Sequence, residues 1–168
     1  AGGLVAAERH GRHRYYRLAN PEVVAALDAL AAVALPTPAA SSREAPAASA
    51  VRFARTCYDH LAGRLGVLVT DALVSRHALV LDGRSYAVTD AGARLFDSLG
   101  VSVDDVAAAA RRTRRPVTRA CLDWSERRYH LAGALGAALA TRLLDAGWLA
   151  RTPASRALRV TNEGRRLL

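Results

Sequence analysis

The feature that most constrains this chain is an internal repeat. The string His60-Leu61-Ala62-Gly63-Arg64-Leu65-Gly66 returns as His130-Leu131-Ala132-Gly133-Ala134-Leu135-Gly136, seventy positions on. Leu73 answers Leu143 and Leu79 answers Leu149. Val88-Thr89-Asp90-Ala91-Gly92 answers Val160-Thr161-Asn162-Glu163-Gly164. Upstream, Arg55-Thr56-Cys57-Tyr58-Asp59 matches Arg119-Ala120-Cys121-Leu122-Asp123, with six extra residues in the second copy. Matched blocks in one order imply a duplication, with copies near residues 52–99 and 117–168.

Each copy is expected to follow one plan. A helix ends at Gly63 or Gly133, and a second ends near His77 or Gly147, running over about 65–79 and 135–147. A hairpin then joins 79–81 to 85–88, or 149–151 to 157–160. Thr89 or Thr161 caps a last helix. Helix, helix, two-stranded wing, helix is a winged-helix plan. Residues 103–115 read as a connecting helix with a basic end, Arg111-Arg112-Thr113-Arg114-Arg115.

Composition supports helical packing. Half of the 168 residues are apolar, yet only two Phe and two Trp are present, so the core must be built from Ala, Leu and Val. All 24 basic side chains are Arg, and the net charge is +9. Part of that excess reflects a GC-rich coding source, since 37 residues are Ala. No apolar run reaches the roughly 18–20 residues of a membrane span, and no signal peptide is evident. Two cysteines do not make a disulfide framework, so a cytoplasmic protein is expected.

The chain opens on a hairpin pattern, residues 4–8 and 14–18, around Gly11, which supplies the positive φ of a tight turn. A hairpin with nothing before it, in a chain without Met, suggests a start partway through a domain. Asn20-Pro21-Glu22 then begins a helix, as N-cap, first helical position and dipole-facing acid. An apolar stripe of Val23, Val24, Leu27, Leu30 and Val33 carries it to about residue 34. Residues 35–49, rich in Pro, Ala and Ser, read as a linker.

Gly3-Leu4-Val5, Arg9, Gly11-Arg12 and Tyr15-Tyr16-Arg17-Leu18 together resemble the wing of ArsR/SmtB-type bacterial transcription regulators. The resemblance covers residues 1–34 and implies that the following helix dimerises. The helix-turn-helix that precedes the wing in that family is absent from this chain. Cys57-Tyr58-Asp59-His60-Leu61-Ala62-Gly63 and Cys121-Leu122-Asp123-Trp124-Ser125-Glu126-Arg127-Arg128 are similar to a C-terminal extension on some regulators of this type. The implied fold is mainly α with short β-hairpins. It comprises a wing and dimerisation helix (1–34), the linker (35–49), a winged-helix-like repeat (50–99), a connector (100–116) and a second such repeat (117–168). The implied partners are double-stranded DNA and a second copy of the chain. Arg9, His10, Arg12, His13 and Arg14 would lie against DNA, where a basic hairpin suits phosphates and a narrow minor groove. A wing by itself supplies mostly backbone affinity. A hairpin that is only solvated is the plainer alternative.

The helices of the repeats lack the polar cluster that reads base edges, which points to a sensing and packing module. Cys57 and His60, three apart, are expected to share a helical face, with Tyr58 and Asp59 beside them. Cys121, Asp123, Trp124 and His130 follow in the second copy. If the copies pack about a pseudo-twofold axis, Cys57, His60, Cys121 and His130 converge as a soft-metal set of the kind that holds Zn²⁺. Two thiols also suit a metalloid, an electrophile or oxidation, helped by Arg55 and Arg119. Trp124 and Tyr129 would flank an apolar or planar ligand. Against these stand structural roles: buried cysteines acting as small hydrophobes, histidines bonded within a core, Trp124 filling a gap, and Asp59 and Asp123 paired with arginines, for example Asp123 with Arg127. A Cys/His/Asp set also contains the parts of a nucleophilic enzyme, but duplicated parts fit a scaffold better, and no phosphate loop or nucleophile elbow is present. The reading is a non-enzymatic, DNA-binding regulator, a repressor by family expectation, with a sensory C-terminal part. Its cofactor, if any, would be a soft metal ion. The alternatives are a non-sensing interaction module and a cysteine-dependent enzyme.

Overall fold

The computed structural model describes residues 2–11, 13–23, 26, 30 and 46–167, with the backbone alone for His10, His13 and Pro46. The chain divides into two compact units, Ala1–Arg43 and Glu44–Leu168.

In the first unit, β1 (Val5–His10) and β2 (His13–Leu18) form an antiparallel hairpin in which Val5 faces Leu18 and Arg9 faces Arg14. Gly11 takes φ +61° at its tip, and Ala19 N donates to Leu4 O at its base, 3.0 Å. Asn20 Oδ1 accepts from Val23 N at 3.0 Å, and residues 21–23 are helical, as the Asn-Pro-Glu signal predicts. The rest of the expected dimerisation helix, apart from residues 26 and 30, lies outside the described residues, as does 35–45 of the expected linker.

The second unit is mixed α and β, a set of helices with small two-stranded antiparallel sheets. Helix α1 (Pro46–Phe53) begins inside the stretch read as linker. It is followed by hairpin β3 (Arg55–Cys57) and β4 (His60–Ala62), helix α2 (Gly63–Ser75), hairpin β5 (Leu79–Asp82) and β6 (Ser85–Val88), and helix α3 (Asp90–Ser98). Helix α4 (Val103–Thr113) opens a second run of the same order: β7 (Arg119–Leu122), β8 (Tyr129–Ala132), α5 (Gly133–Asp145), β9 (Leu149–Arg151), β10 (Leu158–Val160) and α6 (Asn162–Leu167).

The expected plan needs one correction. The segments before Gly63 and Gly133 are hairpins rather than helices, and these glycines start helices instead of ending them. Accordingly α2 and α5 begin two residues earlier than expected and end before the next strand, at Ser75 and Asp145. Gly63 (φ +79°) and Gly133 (φ +86°) adopt the left-handed conformation that turns an incoming strand into a helix. A Cβ would meet Arg52 O at 2.6 Å in the first case and Val117 O at 2.8 Å in the second. The sequence signal is ambiguous because left-handed glycines are also common just past helix ends. Gly66 and Gly136 serve space instead: a Cβ there would lie 2.6 and 2.5 Å from the carbonyl oxygens of Leu61 and Leu131. The later hairpins and the caps agree with the sequence. Thr89 Oγ1 accepts from Gly92 N, and Thr161 Oγ1 from Gly164 N, each at 3.0 Å. Ser102 Oγ similarly accepts from Asp105 N at the start of α4.

The two halves interlock. Thr56 N donates to Arg156 O (3.0 Å), Leu158 N to Ala54 O (2.9 Å) and Ala120 N to Arg84 O (2.9 Å). Thr118 Oγ1, before β7, accepts from Tyr86 N of β6. Thr70 on α2 accepts from Leu131 N on β8 at 2.8 Å. Leu61, Leu65, Phe96, Leu131, Leu135 and Leu143 belong to one apolar core. Its fill is largely leucine and alanine, as the scarcity of aromatic residues requires.

Candidate functional site

Cys57 and His60 are cross-strand partners in the first hairpin of the second unit, and Cys121 and His130 are partners in its counterpart. The pairing of Cys57 with His60 is therefore a strand pairing across the turn Tyr58–Asp59, not a shared helical face. Tyr58 takes φ +60° in that turn. The hairpins meet because α2 packs on β8 while α5 packs on β4. Gly66 leaves room for the Cβ of His130, and Gly136 for that of His60. One ligand-type atom from each of Cys57, His60, Cys121 and His130 lies within 4.8 Å of the others. The two imidazoles are buried and the two cysteines half-buried.

Both histidines are oriented alike. His60 Nε2 and His130 Nε2 face each other at 3.2 Å, with ring centroids 5.1 Å apart. Each Nδ1 turns to a carboxylate: His60 to Asp59 Oδ1 at 3.4 Å, His130 to Asp123 Oδ2 at 3.2 Å. The second approach is close enough for charge attraction but poorly aligned, so Nδ1 of His130 lacks a well-formed hydrogen bond.

Asp123 is the hub beneath the site. Its Oδ1 accepts from Arg55 Nη2 at 2.7 Å and from Ser125 N and Oγ. Its Oδ2 accepts from Gly63 N at 2.7 Å, so it caps α2 of the other half. Arg55 and Asp123 are 1% and 0% exposed. Removing either partner of such a buried pair leaves an unpaired charge, at a cost of about 3–5 kcal/mol. Burial pushes the Asp123 carboxyl upward, but His130, Arg55, Gly63 N and Ser125 outweigh it and hold the group well below the carboxylate range. Asp123 is paired with Arg55 from the first half, and Arg127 donates its backbone N–H to Asp123 O. Asp59 pairs with Arg115 at 2.7 Å, and that guanidinium, helped by His60, holds its carboxyl below the ordinary value.

The thiols are unequal. A hydrogen bond from Cys121 pulls the Cys57 thiol down against burial, with both imidazoles adding to the effect. Cys121, which gives that hydrogen bond and is itself partly buried, is pushed up. Burial lowers the His130 imidazole, but Asp123 and the Cys57 sulfur more than reverse this and the net shift is upward. A thiol pulled down beside two imidazoles is an arrangement suited to metal ligation or attack on an electrophile. The cysteines are unbridged in the structure.

Trp124 is 46% exposed, so it does not fill a core gap; the Arg55 guanidinium lies 4.6 Å from its ring centroid. Tyr129 sits in β8, half-buried against the core. Sequence reasoning misses Asp59 and Asp123 as imidazole partners, and Arg55 as the buried counter-ion. The available signal is that an Asp follows two places after each cysteine.

In the first unit, Arg9 and Arg14 are exposed and face each other near the hairpin tip. Arg12 and the side chains of His10 and His13 lie outside the described residues. Among the described residues no helix is long and apolar enough to cross a membrane.

The chain is 42% identical over 162 residues to the uncharacterized HTH-type transcriptional regulator YdfF of Bacillus subtilis (strain 168), a match spanning 96% of this chain and 70% of that protein. No family model matches the chain, and no solved structure does.

Proposed function

The chain belongs to the HTH-type transcriptional regulators, and from that premise we propose that it acts as a dimeric repressor of the ArsR/SmtB kind whose C-terminal unit senses an effector. The observation that carries the sensory role is the Cys57/His60/Cys121/His130 cluster, because its members come from both halves of one interlocked unit. A ligand held there touches both hairpins at once and favours one arrangement of the halves. Such a preference for one arrangement is what coupling to a separate DNA-binding site requires. The recurring element order supports a duplicated origin for the halves. Each ends on a hairpin and a helix, which is the winged-helix-like part of the plan.

The hairpin β1–β2 is the DNA-contacting wing, with Arg9 and Arg14, together with His10, Arg12 and His13, on phosphates. The helix from Asn20 forms the dimer, and the protein works in the cytoplasm, where bacterial DNA is held. The test is binding of the full-length protein to a labelled duplex from its own promoter region at graded salt. Replacing Arg9 and Arg14 by Ala is expected to weaken binding and to lower the salt slope by about 1 for each phosphate that is no longer neutralised. An unchanged slope removes the hairpin from the interface. In the same assay a thiol-reactive reagent is expected to alter DNA affinity in the wild type and not in Cys57→Ser/Cys121→Ser. Equal responses remove the sensory role.

A further inference from the structure

We infer that Cys57, His60, Cys121 and His130 form a tetrahedral site for a thiophilic divalent cation of the zinc class, which deepens the sensor reading above by giving its effector a chemistry. Three independent features of the geometry point to it.

The first is orientation. Carboxylates stand at the Nδ1 side of both imidazoles, which favours placing the ring protons there. The two Nε2 atoms then face each other across 3.2 Å, close enough to share one proton or to be bridged by one cation. A carboxylate behind a histidine is also the usual outer partner of a metal-binding imidazole, fixing its tautomer and raising its basicity.

The second is size. Metal–nitrogen bonds of about 2.0–2.1 Å and metal–sulfur bonds of about 2.3 Å give a tetrahedron with edges of about 3.3–3.8 Å. The observed nitrogen–nitrogen distance is 3.2 Å and the widest separation among the four atoms is within 4.8 Å. Small side-chain adjustments close the set around one ion.

The third is charge. Arg55 already neutralises Asp123, and Arg115 neutralises Asp59. Two thiolates and two neutral imidazoles therefore balance a dication, whereas a monovalent ion would leave a net negative charge in a half-buried place. As the sulfur–metal bonds form, each thiol gives its proton to solvent. No oxidant is involved. A two-cysteine, two-histidine set is closed, with no position left for a reacting water, so a binding role fits it better than catalysis.

The test uses the full-length reduced protein with zinc sulfate or cobalt chloride as the probe. One zinc per chain is expected, and the cobalt form should show the intense visible bands of a tetrahedral ion with a thiolate charge-transfer band. Cys57→Ser should abolish the charge-transfer intensity of its own sulfur. Asp59→Asn alters a side chain that is 47% exposed and so leaves the core intact; it should weaken zinc binding about 10- to 100-fold. No uptake in reductant, a weak octahedral cobalt spectrum, or bands indifferent to Cys57→Ser would overturn the site. Promoter-duplex affinity measured with and without zinc separates the two ideas. Uptake with unchanged DNA affinity keeps the site and removes its effector role. No uptake, with the thiol-reagent response intact, removes the site and leaves the sensor.

Discussion

Tyr86 shows how a single side chain ties composition to pH response. Its ring is 6% exposed in β6. Burial, then the charges of Asp71 and Tyr129, push its phenol from the ordinary 10.0 up to about 12. The folded state therefore keeps a proton that the unfolded chain releases near pH 10. The resulting contribution is fully present below pH 10 and disappears as pH rises through about 12. The chain has no lysine, so few other groups titrate in that window. Tyr86→Phe should hold a constant stability difference from wild type below pH 10, then gain on it up to pH 12. Urea midpoints across that range test this, and parallel curves would refute it. At the same scale the site is only half legible in the sequence. The recurrence of Cys and His at matching places in the sequence points to convergence, because two similar segments that pack on each other bring like residues together. The Arg55–Asp123 pair is hidden, because it joins residues 68 apart whose meeting depends on how the hairpins cross. Nothing local in the sequence encodes that crossing.

Elements here are decided by their junctions. The first hairpins of each half are three or four residues per strand, too short for periodicity to separate them from helix. What fixes them in the structure is the glycine that follows, whose left-handed φ ends the strand and admits the chain into α2 or α5, although in the sequence the same glycine reads equally well as a helix end. Gly63→Ala must accept both that φ and a Cβ 2.6 Å from Arg52 O. It should lower stability by more than about 1–3 kcal/mol, the usual cost of a strained backbone position. Gly83, at the β5–β6 turn, also has a positive φ of +56° but open space where a Cβ would go. Gly83→Ala should cost only the conformational part, about 1–2 kcal/mol. Denaturant unfolding of the two variants measures the difference, and equal losses would show that close contact at Gly63 contributes nothing. The later hairpins and the threonine caps are readable because their signals are local. A cap needs only its own helix, and a hairpin only its turn.

At the scale of the whole second unit, the exchange of strands and helices between halves sets the folding unit. β3 bonds to the chain at Arg156, β7 follows a threonine bonded to Tyr86, and α2 lies on β8 while α5 lies on β4. Neither half can lose its partner without exposing Leu61, Leu65, Leu131 or Leu135, which share one core. Asp123 adds a further tie by capping α2 from the opposite half. Recurring sequence blocks suggest two modules that melt separately; the interlocking predicts one transition. The placement of the tryptophans makes this measurable. Both, Trp124 and Trp148, belong to the second half, whereas helices occur in both halves. Tryptophan fluorescence thus reports the second half, together with the Arg55 contact of Trp124, and far-ultraviolet circular dichroism reports the two halves together. With one cooperative unit the two signals share a midpoint and slope in denaturant, as two-state unfolding requires. A fluorescence transition displaced from the helical one would mean that the halves unfold independently. A ligand bound between them would then have no shared structure through which to act.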